Sequence, residues 1–324
     1  MRERKKEEGR RKKEEGKRKQ ERVGDETEKV HVVSGRKQDA KTERKRLLQT
    51  RPSSETKAAF HFSTMFLATF RRYLGIVLYR TIAGIKSEGR QNYLGYFWFL
   101  LEPALSTAVL YVVFTQIKVY NGGARYIAFL LIGMLTWNWF ESSCILGSLS
   151  IKMKFGVLNQ YNLPKYIFPL VTILVNTWKF LWVFLVIVIV SAVLGFPPNL
   201  HFFYLPLIML LQFFLIFGIT MPLSIGVTLA NDLLTVVSSI FRLMFFLSGI
   251  FFDASIVPEN LRSWFYANPM AVIIEAYRAV ILDGGKTPDF SRMAEAAIFS
   301  LAFMIVGLAL HYHYDKKILK LTNV

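Results

Sequence analysis

Cysteine is almost absent from this 324-residue chain: Cys144 is the only one. That excludes an intrachain disulfide and any metal site built on paired thiolates. Histidine is scarce too. The five residues, His31, His61, His201, His311 and His313, are scattered, and neither an HExxH nor a GxxxxGK[ST] stretch occurs to hold a catalytic zinc ion or a nucleotide phosphate. Charge is thin over most of the length, since residues 58–324 carry only 19 Lys and Arg with 11 Asp and Glu. Within the long apolar runs the ionisable groups reduce to Glu102, Glu141, Lys179 and Arg242. A membrane enzyme would gather such groups at one depth. The sparse set points away from catalysis, and from a metal or cofactor held by this chain.

What is there divides sharply in character. Residues 1–57 hold 21 Lys and Arg against 12 Asp and Glu, with few large apolar side chains before Leu47. Such a tail buries too little surface to offset its ordering entropy, so it reads as a disordered cytosolic segment drawn to anionic lipid. Nucleic acid is not the expected partner, and the tail lacks the short apolar core of a secretion signal. Residues 58–90 place Phe62, Phe66, Phe70, Tyr73 and Val77 at helical spacing around Arg71 and Arg72. This pattern suits an amphipathic helix lying in the inner membrane interface; a seventh span is the alternative, disfavoured by the paired arginines.

Residues 91–324 read as an all-α integral membrane domain with six spans, at about 93–117, 126–151, 166–195, 202–229, 233–252 and 293–312. The third enters obliquely, because Pro169 and Lys179 make its first half polar. Lys152, Lys154 and Lys165 follow the second span and Lys316, Lys317 and Lys320 follow the sixth. The excess of positive charge in these short segments puts both termini in the cytosol. Between the fifth and sixth spans, 258–266 and 269–282 form two apolar helices too short to cross, separated by "ANP". They read as a re-entrant hairpin at the outer face with Asn268 and Pro269 at its turn, or as an amphipathic pair resting on the outer surface. Pro269 suits an early helical position, and Glu275 and Arg278, three apart, are placed to pair. Arg242 either pairs with Glu102 or Glu141 or lines a wet passage. Tyr93, Phe97 and Tyr111 on the first span, with Phe245 and Phe252 on the fifth, are the aromatics that could line that passage and stack on sugars; packing is the rival role.

Three stretches carry a family resemblance: "IKSEGRQNYLGYFWFLLEPALSTAVLYVVF", "YNLPKYIFPLV" and "SGIFFDASIVPENLRSWFYANPMAVIIEAYRAVIL". In content and order they resemble the ABC-2 type permease subunits that export O-antigen, capsular polysaccharide or teichoic acid, over about residues 65–320. The late NP-x5-E-x2-R pattern corresponds to Asn268, Pro269, Glu275 and Arg278. The resemblance implies a homodimer in the cytoplasmic membrane and a lipid-linked glycan as cargo. It also implies two separate cytosolic ATPase subunits, with ATP and magnesium used there rather than here. It makes Arg71, Arg72, Lys152, Lys154 and Lys165 candidates for receiving force from the ATPase. Residues 1–57 depart from the family, whose members usually start shortly before the interface helix. An exporter of drugs or simple lipids, and a non-transport enzyme or scaffold, are the competing readings.

Overall fold

The computed structural model describes residues 16, 54–91, 98–116, 123–154, 163–230, 232–283 and 286–321. The basic tail and the two aromatics Tyr93 and Phe97 lie outside them, apart from Gly16 and the start of the first helix. The chain divides into two units, Met1–Arg72 and Tyr73–Val324, and the packing below belongs to the second.

All regular structure among the described residues is helical. The helices are α1 Ser54–Gln91, α2 Trp98–Gln116, α3 Ala124–Met153, α4 Ile167–Val193, α5 Leu205–Leu229, α6 Asp232–Leu247, α7 Glu259–Tyr266, α8 Pro269–Ile281 and α9 Phe290–Leu321. A short 3-10 turn, Leu200–Tyr204, leads into α5. Among the described residues, four stretches are long and apolar enough to cross a membrane: α3, α4, α5 with its leading turn, and α9. The other two expected spans are shorter. At about 1.5 Å per residue the 19 residues of α2 reach about 28 Å and the 16 of α6 about 24 Å, against a hydrocarbon core of about 30 Å.

The fifth expected span stops five residues early for a local reason. Gly249 takes φ +68, the left-handed conformation that ends helices at little cost to glycine, and the chain breaks there into irregular backbone.

Between apolar helices there is little hydrophobic drive to associate, so close backbone approach and buried polar bonds do more of the holding. α5 and α9 show the first device. A Cβ on Gly218 would lie 2.6 Å from the Ser300 carbonyl oxygen, and one on Gly307 would lie 2.5 Å from the Met221 Cβ. The second device joins α5 to α3 and α9. Gln212 Nε2 donates to the Thr136 carbonyl at 2.8 Å, Thr220 Oγ1 to Cys144 Sγ at 3.6 Å, and Ser224 Oγ meets His311 Nε2 at 3.0 Å.

α1 follows α4 along its first half. Val77 and Thr81 are buried, Arg80 stands over the Phe168 ring at 5.5 Å, and a Cβ on Gly84 would lie 2.9 Å from Val175 Cγ2. One helical turn on, Glu88 forms an ion pair with Lys179, which also donates to Asn176 Oδ1 at 3.1 Å. Lys179, conspicuous in sequence as a charge within an apolar run, is thus neutralised by a carboxylate from α1.

Candidate functional site

The chain leaving α6 is gripped by the helix that follows it. α8 begins with Asn268 as N-cap, its Oδ1 accepting from the Met270 amide at 3.0 Å, and with Pro269 at the first helical position, where its missing N–H costs nothing. The other end of the same amide reaches back, Nδ2 donating to Ser248 Oγ at 2.7 Å, while that hydroxyl donates to the Met244 carbonyl at 2.6 Å. One asparagine thereby starts α8 and ties it to the last turn of α6.

Arg278 completes the grip. Its guanidinium donates to the carbonyls of Gly249 at 2.7 Å, Ile250 at 2.8 Å and Phe129 at 3.2 Å, and stands 3.3 Å from the centre of the Phe129 ring. The side chain is 7% exposed. These carbonyls include ones freed where α6 breaks, and a planar fork of donors can satisfy several at once. Gly133 on α3 makes the room: a Cβ there would lie 2.6 Å from Arg278 Nη2.

The expected pairing of Glu275 with Arg278 is not formed. Three residues on a helix leave the two side chains about 60° apart, enough here to turn Arg278 into the protein and Glu275 to the surface. Glu275 instead accepts from Tyr266 Oη at 3.1 Å, and Arg292 lies over the Tyr266 ring at 3.2 Å while donating to Asp289 Oδ2 at 3.0 Å. Partial burial raises the Glu275 carboxyl above its usual value, against the opposing pull of Tyr266 and Arg292. Burial and the Glu275 carboxylate push the Tyr266 hydroxyl up to about 12. For Asp253 burial acts in the same upward sense, but the hydrogen bonds from Ser255 and the fields of Arg278 and Arg125 outweigh it and hold the carboxyl low.

Between the α6 exit, α8 and the start of α9 these groups enclose a cleft of about 260 Å³, walled by Phe252, Asp253, Glu275, Asp283, Lys286 and Arg292 among others. Carboxylates, arginines and a lysine line it beside the rings of Phe252 and Phe265. Arg125 closes the far end of α8 by pairing with Asp283 and donating to the Leu282 carbonyl at 3.3 Å. None of Gly133, Gly249, Tyr266 or Arg292 was nominated from sequence. The one available signal was the "SG" after α6, which marks a helix end.

The remaining candidates fall in different places. Tyr111 is half-buried, its ring 6.3 Å from Tyr126. Phe245 packs inward, edge-on to Trp137 at 5.9 Å and to Phe251 at 5.0 Å, whereas the next residue, Phe246, is 61% exposed. Phe252 faces Phe265 at 5.9 Å across the cleft. Arg242 is exposed and makes no ion pair with Glu141, which accepts instead from Trp137 Nε1 at 2.7 Å; the Glu102 side chain lies outside the described residues. Arg71, Arg72, Lys152 and Lys154 are exposed, while Lys165 is only 3% exposed.

Among the described residues all regular structure is helical and four helices are long and apolar enough to cross a membrane, and residues 75–282 match the ABC-2 type transporter family, to which the chain belongs. Several curated relatives are named for the export or transport of polysaccharides. It is 26% identical over 231 residues to the O-antigen export system permease protein RfbA of Klebsiella pneumoniae, a match covering 70% of this chain and 86% of that protein. To the polysialic acid transport protein KpsM of Escherichia coli it is 22% identical, over 67% of this chain and 85% of the relative. The capsule polysaccharide export inner-membrane protein CtrC of Neisseria meningitidis is 25% identical, over 76% and 92%.

Proposed function

We propose that this chain is the permease subunit of an ABC exporter that moves a lipid-linked polysaccharide across the cytoplasmic membrane, driven by ATP hydrolysis in two separate cytosolic subunits. The observation that carries the reading is the extent of its likeness to permeases named for O-antigen and capsule export, over at least 85% of each of the three relatives described above. In this reading α2 and α6 join the four longer helices as spans, both termini are cytosolic, and α7 with α8 forms a re-entrant hairpin at the outer face. Two copies line a passage between them, and magnesium and ATP are used by the partner ATPase.

The exposed stripe of α6 supports a surface turned away from this chain's own core. Val236, Ser239, Ile240, Leu243, Phe246 and Leu247 fall on it at helical spacing, with Arg242 beside them. A second copy facing this stripe would place Arg242 and Phe246 near the passage, where an aromatic face can meet the C–H face of a sugar without fixing its register.

The direct experiment is reconstitution with the candidate ATPase in vesicles, measuring ATP turnover and translocation against lipid-linked glycans, drugs and simple lipids. Glycan-dependent turnover with glycan delivered to the far side supports the proposal. Turnover stimulated only by drugs or simple lipids would transfer the chain to the competing exporter class. Single-cysteine labelling tests the topology, since Cys144 is buried and contributes little background once replaced.

A further inference from the structure

A second polar site lies away from the hairpin, between α3 and α4. It is a pocket of about 190 Å³ lined by Asn138, Trp139, Ser142, Asn176, Lys179 and Phe180, with apolar neighbours. Trp139 and Asn176 are 4% and 5% exposed, and the Trp139 Nε1–H and Asn176 Nδ2 donors have no hydrogen-bond partner among the described residues. Native proteins seldom leave such donors without an acceptor. Both are held in place by their surroundings. The Trp139 indole is stacked on Phe180 at 4.1 Å and 13°, and the Asn176 oxygen is occupied by Lys179, so that the unpartnered N–H groups are the parts left for a ligand. The donors call for oxygens, and the space exceeds the roughly 30 Å³ of one water.

The same two rings, Trp139 and Phe180, form one wall of an adjoining groove of about 380 Å³, whose other side is Leu181, Pro206, Met209, Leu210 and Phe213. An oxygen-seeking pocket thus opens beside an apolar trough. No residue from 167 to 177 is exposed, and the outward stripe begins at Trp178 and continues through Leu181, Trp182, Leu185, Ile189 and Val193. Trp178 and Trp182 sit edge to face at 6.0 Å beside Lys179, the residue types that gather at the boundary between headgroups and acyl chains.

We propose that this site holds one membrane glycerophospholipid, its phosphodiester oxygens accepting from Trp139, Asn176 and Lys179 and one acyl chain lying in the groove between α4 and α5. A phosphodiester offers only acceptors, and the Lys179 ammonium it would approach is shared with Glu88. The inference does not depend on what the protein exports. Binding would wedge a lipid beside Lys179, whose partner Glu88 belongs to the helix that precedes the spans.

The test is native mass spectrometry of the full chain in detergent, with dioleoyl phosphatidylglycerol, dioleoylglycerol and glycerol 3-phosphate as separate probes. The expected result is one phosphatidylglycerol retained per chain, with both truncated probes at least about tenfold weaker. Trp139→Phe with Asn176→Leu should lower that retention about tenfold. Without added lipid Trp139→Phe should melt no lower than the parent, because it removes a donor that lacks an acceptor, whereas Asn176→Leu also takes away the oxygen that accepts from Lys179. Trp139→Phe alone keeps the ring stack and gives a partial loss if the double variant fails to fold. A pocket that takes up no lipid, equal retention in parent and variants, or dioleoylglycerol held as tightly as phosphatidylglycerol would overturn the proposal. Tighter retention of a polyprenyl phosphate than of phosphatidylglycerol would also overturn it, by assigning the site to a cargo lipid.

Discussion

The region around α8 and the outward side of α6 each carry an arginine, and the two are handled in opposite ways. Arg278 is sunk among three carbonyls from two places in the chain, whereas Arg242 stands exposed on a stripe of apolar side chains. A charge near a membrane interior is costly unless something answers it. α8 finds its answer within the chain, because the break at Gly249 frees carbonyls that need donors. α6 does not, so its outer side depends on what the chain assembles with. The hairpin repeats the contrast, with no buried residue on α7 and ten on α8.

The comparison can be broken most severely at Arg278. Arg278→Ala should strand at least two buried carbonyls and cost about 3 kcal/mol or more, read as a large fall in thermal melting temperature in detergent. Arg278→Lys should recover only part of it, since an ammonium lacks the planar fork. Exchanging Glu275 and Arg278 should rescue nothing, because the two do not pair; a recovered melting temperature would show that they do.

Gly133→Ala attacks the same grip from α3. The new methyl would collide with the guanidinium, and a loss of about 1–3 kcal/mol is expected. Combined with Arg278→Ala the two losses should be strongly non-additive in a double-mutant cycle.

A smaller effect is expected from Glu275. Its carboxyl titrates above the usual value, so the associated stability is fully present below about 4.5, the ordinary value, and declines as pH rises through the raised one. Glu275→Gln should flatten that part of the melting-temperature profile and leave the protein slightly more stable at neutral pH. An unchanged profile would show that the carboxyl is not desolvated.

The smallest effect on stability belongs to Arg242. Arg242→Ala should shift the unfolding free energy by no more than about 0.5 kcal/mol, while reducing glycan-dependent transport if α6 borders the passage. A stability loss comparable to that of Arg278→Ala would erase the distinction between the two regions.

Much of the hairpin's outline was legible in sequence. "ANP" marks a helix start by side-chain capping and a fixed proline φ, both local effects acting within a few residues. The length of α6 was legible only in part, since "SG" announces an end that the continuing apolar run conceals. The inward turn of Phe245 and the outward turn of Phe246 were not legible, because helical spacing defines faces without saying which one meets the protein.

The sequence by itself determined a helical, membrane-embedded domain with most of the chain's charges outside the long apolar runs, since apolar run length and backbone hydrogen bonding leave few other solutions. Only the tertiary structure decided which charges are answered and by whom. Lys179 meets a carboxylate some 90 residues earlier, and Arg278 meets the Phe129 carbonyl 149 residues away. Such bonds depend on where helices cross, and a crossing is settled by close approach between distant glycines and side chains rather than by any local pattern.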